Sequence, residues 1–125
     1  MFTDKQKMIT YLDLKADTQR AKFVGDPARA FEYQEAEKQA LEYKANNYTG
    51  LVPDMVESGR MDGSISAEQS ANTIIYMSNI YRYALTEIRK IRLSAKTRIN
   101  NSETIEEANE ILEQAILELM ELEAT

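Results

Sequence analysis

Apolar positions recur three and four residues apart through most of the chain, and that rhythm predicts helices. Over residues 3 to 23, Met8, Ile9, Leu12 and Ala16 fall on one side. Over 27 to 46, Phe31, Ala40, Leu41 and Ala45 are the expected inward positions, beside a solvated face bearing Arg29, Glu32, Glu35, Glu37, Lys38, Glu42 and Lys44. The longest pattern, 67 to 100, sets Ala71, Ile74, Ser78, Tyr81, Leu85, Ile88, Arg92, Ala95 and Ile99 in heptad rhythm. Met77, Ile80, Ala84 and Ile91 widen that seam, so this helix has apolar surface for more than one neighbour. A last helix, 105 to 123, carries Ile105, Ala108, Leu112, Ala115, Leu119 and Leu122, broadened by Ile111 and Ile116. No alternating run lies between turn residues, so no strand is expected. The predicted fold class is all-α: an antiparallel helical bundle with a long C-terminal helical hairpin.

The breaks between helices carry their own chemistry. In "VGDP", at 24–27, Asp26 is placed to cap a helix whose first residue is Pro27. "NNYTGLVP", at 46–53, closes that helix, and Pro53 opens a single turn through Glu57. "SGRMDGS", at 58–64, reads as loop. Ser66-Ala-Glu-Gln69 and Thr104-x-x-Glu107 have capping-box spacing, and Asn100-Asn101 stops the helix between them. The expected organisation is one helical domain, 1–125: an N-terminal helix pair (3–47), a connecting loop (48–65) and the C-terminal hairpin (66–125).

Composition removes several chemistries. The 125 residues include no Cys and no His, which excludes disulfides, thiolate catalysis and the commonest transition-metal ligand. Lys and Arg number 15 against 21 Asp and Glu, a net charge of −6 that disfavours indiscriminate binding to nucleic acid or anionic lipid. The charge-free run Gln69 to Tyr81 is too short to span a bilayer. Met-Phe-Thr-Asp-Lys at the start lacks the apolar stretch of a signal peptide, so a soluble, intracellular protein is expected. Seven tyrosines exceed what one small core satisfies, which places some at a surface or interface.

One stretch invites chemical readings. Residues 82–98 hold six positive charges and one acid, while 102–125 hold eight Glu and no base. Arg82, Arg89, Arg92 and Lys96 border the apolar seam, so a hairpin that sets acid beside base explains the sign change better than a nucleic-acid footprint does. Such exposed pairs contribute only about 0–1 kcal/mol each. Glu32-Tyr-Gln-Glu35 resembles the ExxE pairs with which MazG-like all-α nucleotide pyrophosphohydrolases hold magnesium between helices. Glu57, however, meets Arg60 where a second pair needs an acid. No catalytic, cofactor-binding or metal residues are assigned, and no cofactor is expected. The apolar excess beside the seam makes Met77, Ile80, Tyr81 and Ala84 the candidate interface.

The order of features resembles small helical proteins and domains encoded among bacteriophage tail and tail-fibre genes. It appears here as "QRAKFVGDPARAFEYQEAEKQALEY", "YTGLVPDMVESGRMDGSISAEQSANTII" and "IYRYALTEIRKIRLSAKTRIN". Ala71, Ile74, Tyr81, Ile88, Arg92, Lys96 and Ile99 match the last element best. Tyr81 stands where such proteins more often have Trp, and Ala36 where they more often have Lys. The resemblance implies a non-enzymatic virion-structural, tail or tail-fibre assembly protein, located in the virion tail or in host cytoplasm during assembly. Its expected partners are itself, as a homo-oligomer, or phage tail or tail-fibre proteins, with no nucleic acid, membrane or small-molecule substrate. The alternatives are the MazG-like magnesium-dependent hydrolase and a small helical regulatory binding module.

Overall fold

The computed structural model describes residues 1–122. It has five helices in the described residues: α1 (Lys5–Val24), α2 (Pro27–Ala45), α3 (Asp54–Ser58), α4 (Ala67–Asn101) and α5 (Ile105–Glu121). No strand occurs among those residues, and the chain is an all-α helical bundle. The caps explain the boundaries. Asp4 and Asp26 accept from the N–H groups of Gln6 and Ala28, each at 2.8 Å, opening α1 and α2. Before α4, Gln69 N–H donates to Ser66 Oγ at 3.0 Å and Ser66 N–H to Gln69 Oε1 at 2.8 Å, a complete capping box. Before α5, Thr104 Oγ1 accepts from Glu107 N–H at 3.1 Å, but the Glu107 carboxylate reaches one residue further back, to Glu103 N–H at 3.2 Å.

The chain gathers into two compact units. One joins Met1–Gly25 to the residues from Tyr83 onward, and the other is Asp26–Arg82. The contacts therefore group α1 with the second part of α4 and α5, a different grouping from the N-terminal pair and C-terminal hairpin read from the sequence.

In the first unit three helices share one core. Met8, Leu12 and Ala16 of α1, Ile88 and Ile99 of α4, and Ala108 of α5 are fully buried, with Leu119 nearly so. Polar ties fix the helix directions. Lys5 Nζ donates to Ser102 O at 2.7 Å, and Arg92 Nη1 lies 3.3 Å from Asp13 Oδ1, so α1 runs antiparallel to α4. Phe2 meets Asn109 at one end of α5, and Gln19 donates to Leu122 O at the other, so α1 runs parallel to α5. α1 thus fills the core of this unit as fully as α4 and α5 do.

Expected acid–base pairing across the hairpin is replaced by other partners. Among the described residues the α4 arginines in ion pairs reach Asp13 of α1 and Glu37 of α2. Arg92 lies on the border of α4 that meets α1, which is why the α5 carboxylates are not its partners.

In the second unit, Ala40 and Tyr43 of α2, Val56 of α3 and Ala71 of α4 form a small core, flanked by Tyr48, Val52, Ala67, Ile74 and Ile75. Only Ala40 of the four expected inward positions on α2 is buried; Phe31 is 76% exposed, and Leu41 and Ala45 are also exposed. The actual stripe, Tyr33–Ala36–Ala40–Tyr43, keeps helical spacing but mixes aromatic rings with alanines, whereas the large apolar side chains Phe31 and Leu41 lie off it. α3 crosses α4 closely: Ser70 Oγ donates to Val56 O at 2.7 Å, and a Cβ at Gly59 would stand 2.7 Å from Ser70 Oγ. Gln39 caps α3, its Oε1 accepting from Met55 N–H at 2.8 Å.

Replacing Leu12 or Ile88 by Ala should each lower stability by about 2–5 kcal/mol, whereas Phe31→Ala should change it by less than about 0.5 kcal/mol. Urea unfolding of the three variants checks this; an equal loss at Phe31 would mean that α2 buries the other face.

Candidate interaction surface

A groove of about 250 Å³ opens between α2 and α4 in the second unit. Tyr33 and Ala36 line one wall, and Thr73, Ile74, Met77, Ser78 and Tyr81 the other. Its position follows from the α2 stripe: small Ala36 leaves space beside the helix, while Tyr33 and Tyr81 close one end. Their rings stack with centroids 5.3 Å apart and planes 21° from parallel. Next to that pair, Arg82 Nη2 donates to both carboxylate oxygens of Glu37, at 2.6 and 2.7 Å. Glu37 is largely covered, with a side chain 17% exposed, and Arg82 is open to solvent at 60%.

Two of the four candidate interface residues meet in this groove. Met77 and Tyr81 line it, and Met77 remains 37% exposed. Ile80 is half-buried but is not part of the lining. Ala84 is only 4% exposed, so it supplies core and no open surface. The sequence reading missed Tyr33, Ala36, Thr73, Ile74 and Ser78 as groove residues. The 3-4-3 spacing from Tyr33 to Tyr43 was the available signal, since it sets Tyr33 and Ala36 on the face that carries buried Ala40.

Burial pushes the Tyr81 hydroxyl above its ordinary pKa of 10.0, reinforced by the neighbouring Tyr33 hydroxyl and partly offset by the Arg29 charge. The neutral phenol is the form that suits this surface.

A second, polar hollow of about 390 Å³ lies in the first unit, lined by Arg98, Asn101, Glu107, Glu110, Ile111 and Gln114. It mixes a base with carboxylates and gathers no ligand set. Of the ExxE pair on α2, Glu35 Oε1 accepts from Gln39 Nε2 at 3.0 Å, and Glu32 is exposed. Among the described residues no group of three or more His, Cys, Asp or Glu could hold a metal ion. No described helix is long and apolar enough to cross a membrane.

The fold and groove define an all-helical protein with a partly open aromatic and aliphatic surface. No protein-family model, curated protein or solved structure matches the chain.

The raised pKa of Tyr81 has a pH consequence. Between the unfolded value near 10.0 and the higher folded value, the unfolded chain loses the proton first, so stability falls as pH rises. The contribution is complete below the unfolded pKa and is lost as pH rises through the folded one. Wild type should therefore lose urea resistance more steeply above that pH than Tyr81→Phe. Parallel pH dependence of the two proteins would show that the hydroxyl is not buried as described.

Proposed function

We propose that this chain is a non-enzymatic bacteriophage structural or assembly protein of the tail or tail-fibre apparatus, working through helix-mediated contacts with itself or with a tail protein. One observation carries the contact reading: the Tyr33–Met77–Tyr81 groove leaves apolar and aromatic surface open on a unit whose own core is small. Tyrosine and methionine suit such a surface. Tyr offers a large contact area with a polar tip, and Met adapts to irregular shapes. The phage context comes from the order of sequence features, and the virion tail or the host cytoplasm during assembly is the corresponding location.

A charge placed in the groove tests the reading without touching either core. Met77→Glu should weaken capture of the protein's partner, a tail component from infected cells or a second copy, by about tenfold or more. Circular dichroism should remain that of the wild type. Light scattering, co-purification and the protein inventory of purified virions supply the readouts. A folded wild-type monomer that captures no tail component and is absent from virions would refute the proposal.

A further inference from the structure

The loop from α3 to α4 carries the Asp-Gly step at 62–63, the one place in the chain where glycine follows Asp or Asn. Its backbone is left-handed over three successive residues, Met61 (φ 49°), Asp62 (φ 56°) and Gly63 (φ 86°). Glycine enters this region freely, but the Cβ of an L-residue there crowds the following carbonyl. Contacts from the rest of the loop hold the turn in place. Arg60 O accepts from Gly63 N–H at 3.0 Å and from Ile65 N–H at 3.3 Å, and Arg60 Nε donates to Ile65 O at 3.0 Å. Ser64 N–H closes onto Met61 O at 3.1 Å. The Asp62 side chain takes no part: it is exposed and makes no hydrogen bond or ion pair among the described residues.

An Asp-Gly step is chemically labile, because glycine has no side chain to shield its nitrogen from the preceding carboxyl group. Gly63 N attacks Cγ of the Asp62 carboxylic acid; a C–N bond forms, the C–OH bond breaks, and the amide proton and hydroxyl leave as water. The product is a five-membered succinimide, and nothing lies within 4 Å of the place where a Cβ at Gly63 would stand. The ring carbonyls acidify the Asp62 Cα–H, which is lost to solvent and regained on either side, so the ring passes between L and D forms. Water then opens it. Opening at the side-chain carbonyl restores the α-linked chain, whereas opening at the main-chain carbonyl leaves a β-linked chain that is one carbon longer through the turn.

We propose that Asp62 is a site of spontaneous isomerisation at which the fold selects the D-aspartyl product. The left-handed region is the mirror image of the ordinary helical region, and D-residues occupy it without crowding, which is why they suit turns with positive φ. D-Asp62 therefore fits the turn better than L-Asp62 and keeps both hydrogen bonds to Arg60 O. A β-linked residue lengthens the path from Arg60 to Gly63 and misaligns those bonds. Cyclisation requires Gly63 N to leave Arg60 O, so it proceeds when the turn opens. The D form opens least, re-enters the ring most slowly, and accumulates. In the unfolded chain nothing favours it over the β-linked product.

The test ages the full chain in warm neutral buffer, one sample folded and one unfolded in guanidinium chloride. Trypsin releases the segment Met61–Arg82, whose L and D, α- and β-linked isomers share one mass and are separated by chromatography against synthetic standards. The ratio of D-α-linked to L-β-linked product should be about tenfold higher in the folded sample. A second measurement does not depend on slow ageing: the full chain made by chemical synthesis with D-aspartate at position 62 should unfold at a higher urea concentration than the L form. Equal product ratios in the two samples would overturn the proposal. So would an Asp62 that isomerises only in the unfolded sample, or a D-Asp62 chain no more stable than the L form.

Discussion

The last carbonyls of a helix have no partners within it, and in the three-helix unit α1 meets those of both neighbours. Lys5 brings an ammonium group to Ser102 O at 2.7 Å and Asn100 O at 3.5 Å, where the α4 dipole is negative. Gln19, buried among the apolar side chains of α1, donates to Leu122 O just past α5. Asn109 completes the set: its amide donates to Phe2 O at 2.7 Å, and its Oδ1 accepts from Phe2 N–H at 3.2 Å. A register slip of α1 would break these ties together and leave buried polar groups unsatisfied, at a cost of about 1–3 kcal/mol each. Apolar burial supplies the cohesion of the unit, and these polar contacts select its alignment.

The second unit relies on close approach instead. Alanines at 40 and 71, Ser70, and glycine at 59 let α2, α3 and α4 pack around Tyr43 and Val56. The chain reaches that arrangement through a left-handed pair, Asn47 and Tyr48, with φ 56° and 57°. For an aromatic residue this conformation costs about 1–2 kcal/mol. Tyr48 offsets it by donating its hydroxyl to Asn72 at 2.7 Å and setting its ring edge-on to Tyr43, with centroids 5.7 Å apart. So small a core leaves the adjoining Tyr33–Met77–Tyr81 surface only partly covered.

Charge plays a narrower part than its abundance suggests. The described glutamates of α5 are exposed, and among the described residues the ion pairs of α4 are Arg82–Glu37 and Arg92–Asp13. The first is mostly exposed on its basic side and contributes little to stability. The second is more enclosed, and Arg92 Nε is buried without a partner, which further limits its net gain.

The sequence by itself determined the helices, because what makes them is local. Capping residues, Pro27 at a first turn and the three-four spacing of apolar groups act within a few residues, and the other helix ends fall within about two residues of those expected, the end expected at 123 lying outside the described residues. It also identified Met8, Leu12, Ile88, Ile99 and Leu112 as inward positions, since each sits on a single dominant stripe. Only the tertiary structure decided which helices share a unit, which face of α2 is buried, and where the arginines find their acids. α2 shows why: Phe31 and Leu41 make one plausible stripe and Tyr33–Ala36–Ala40–Tyr43 another, and the choice depends on the small residues that α3 and α4 bring against it. The groove was legible in part for the same reason: Met77 and Tyr81 belong to the α4 pattern, but its opposite wall exists only once α2 has chosen its face.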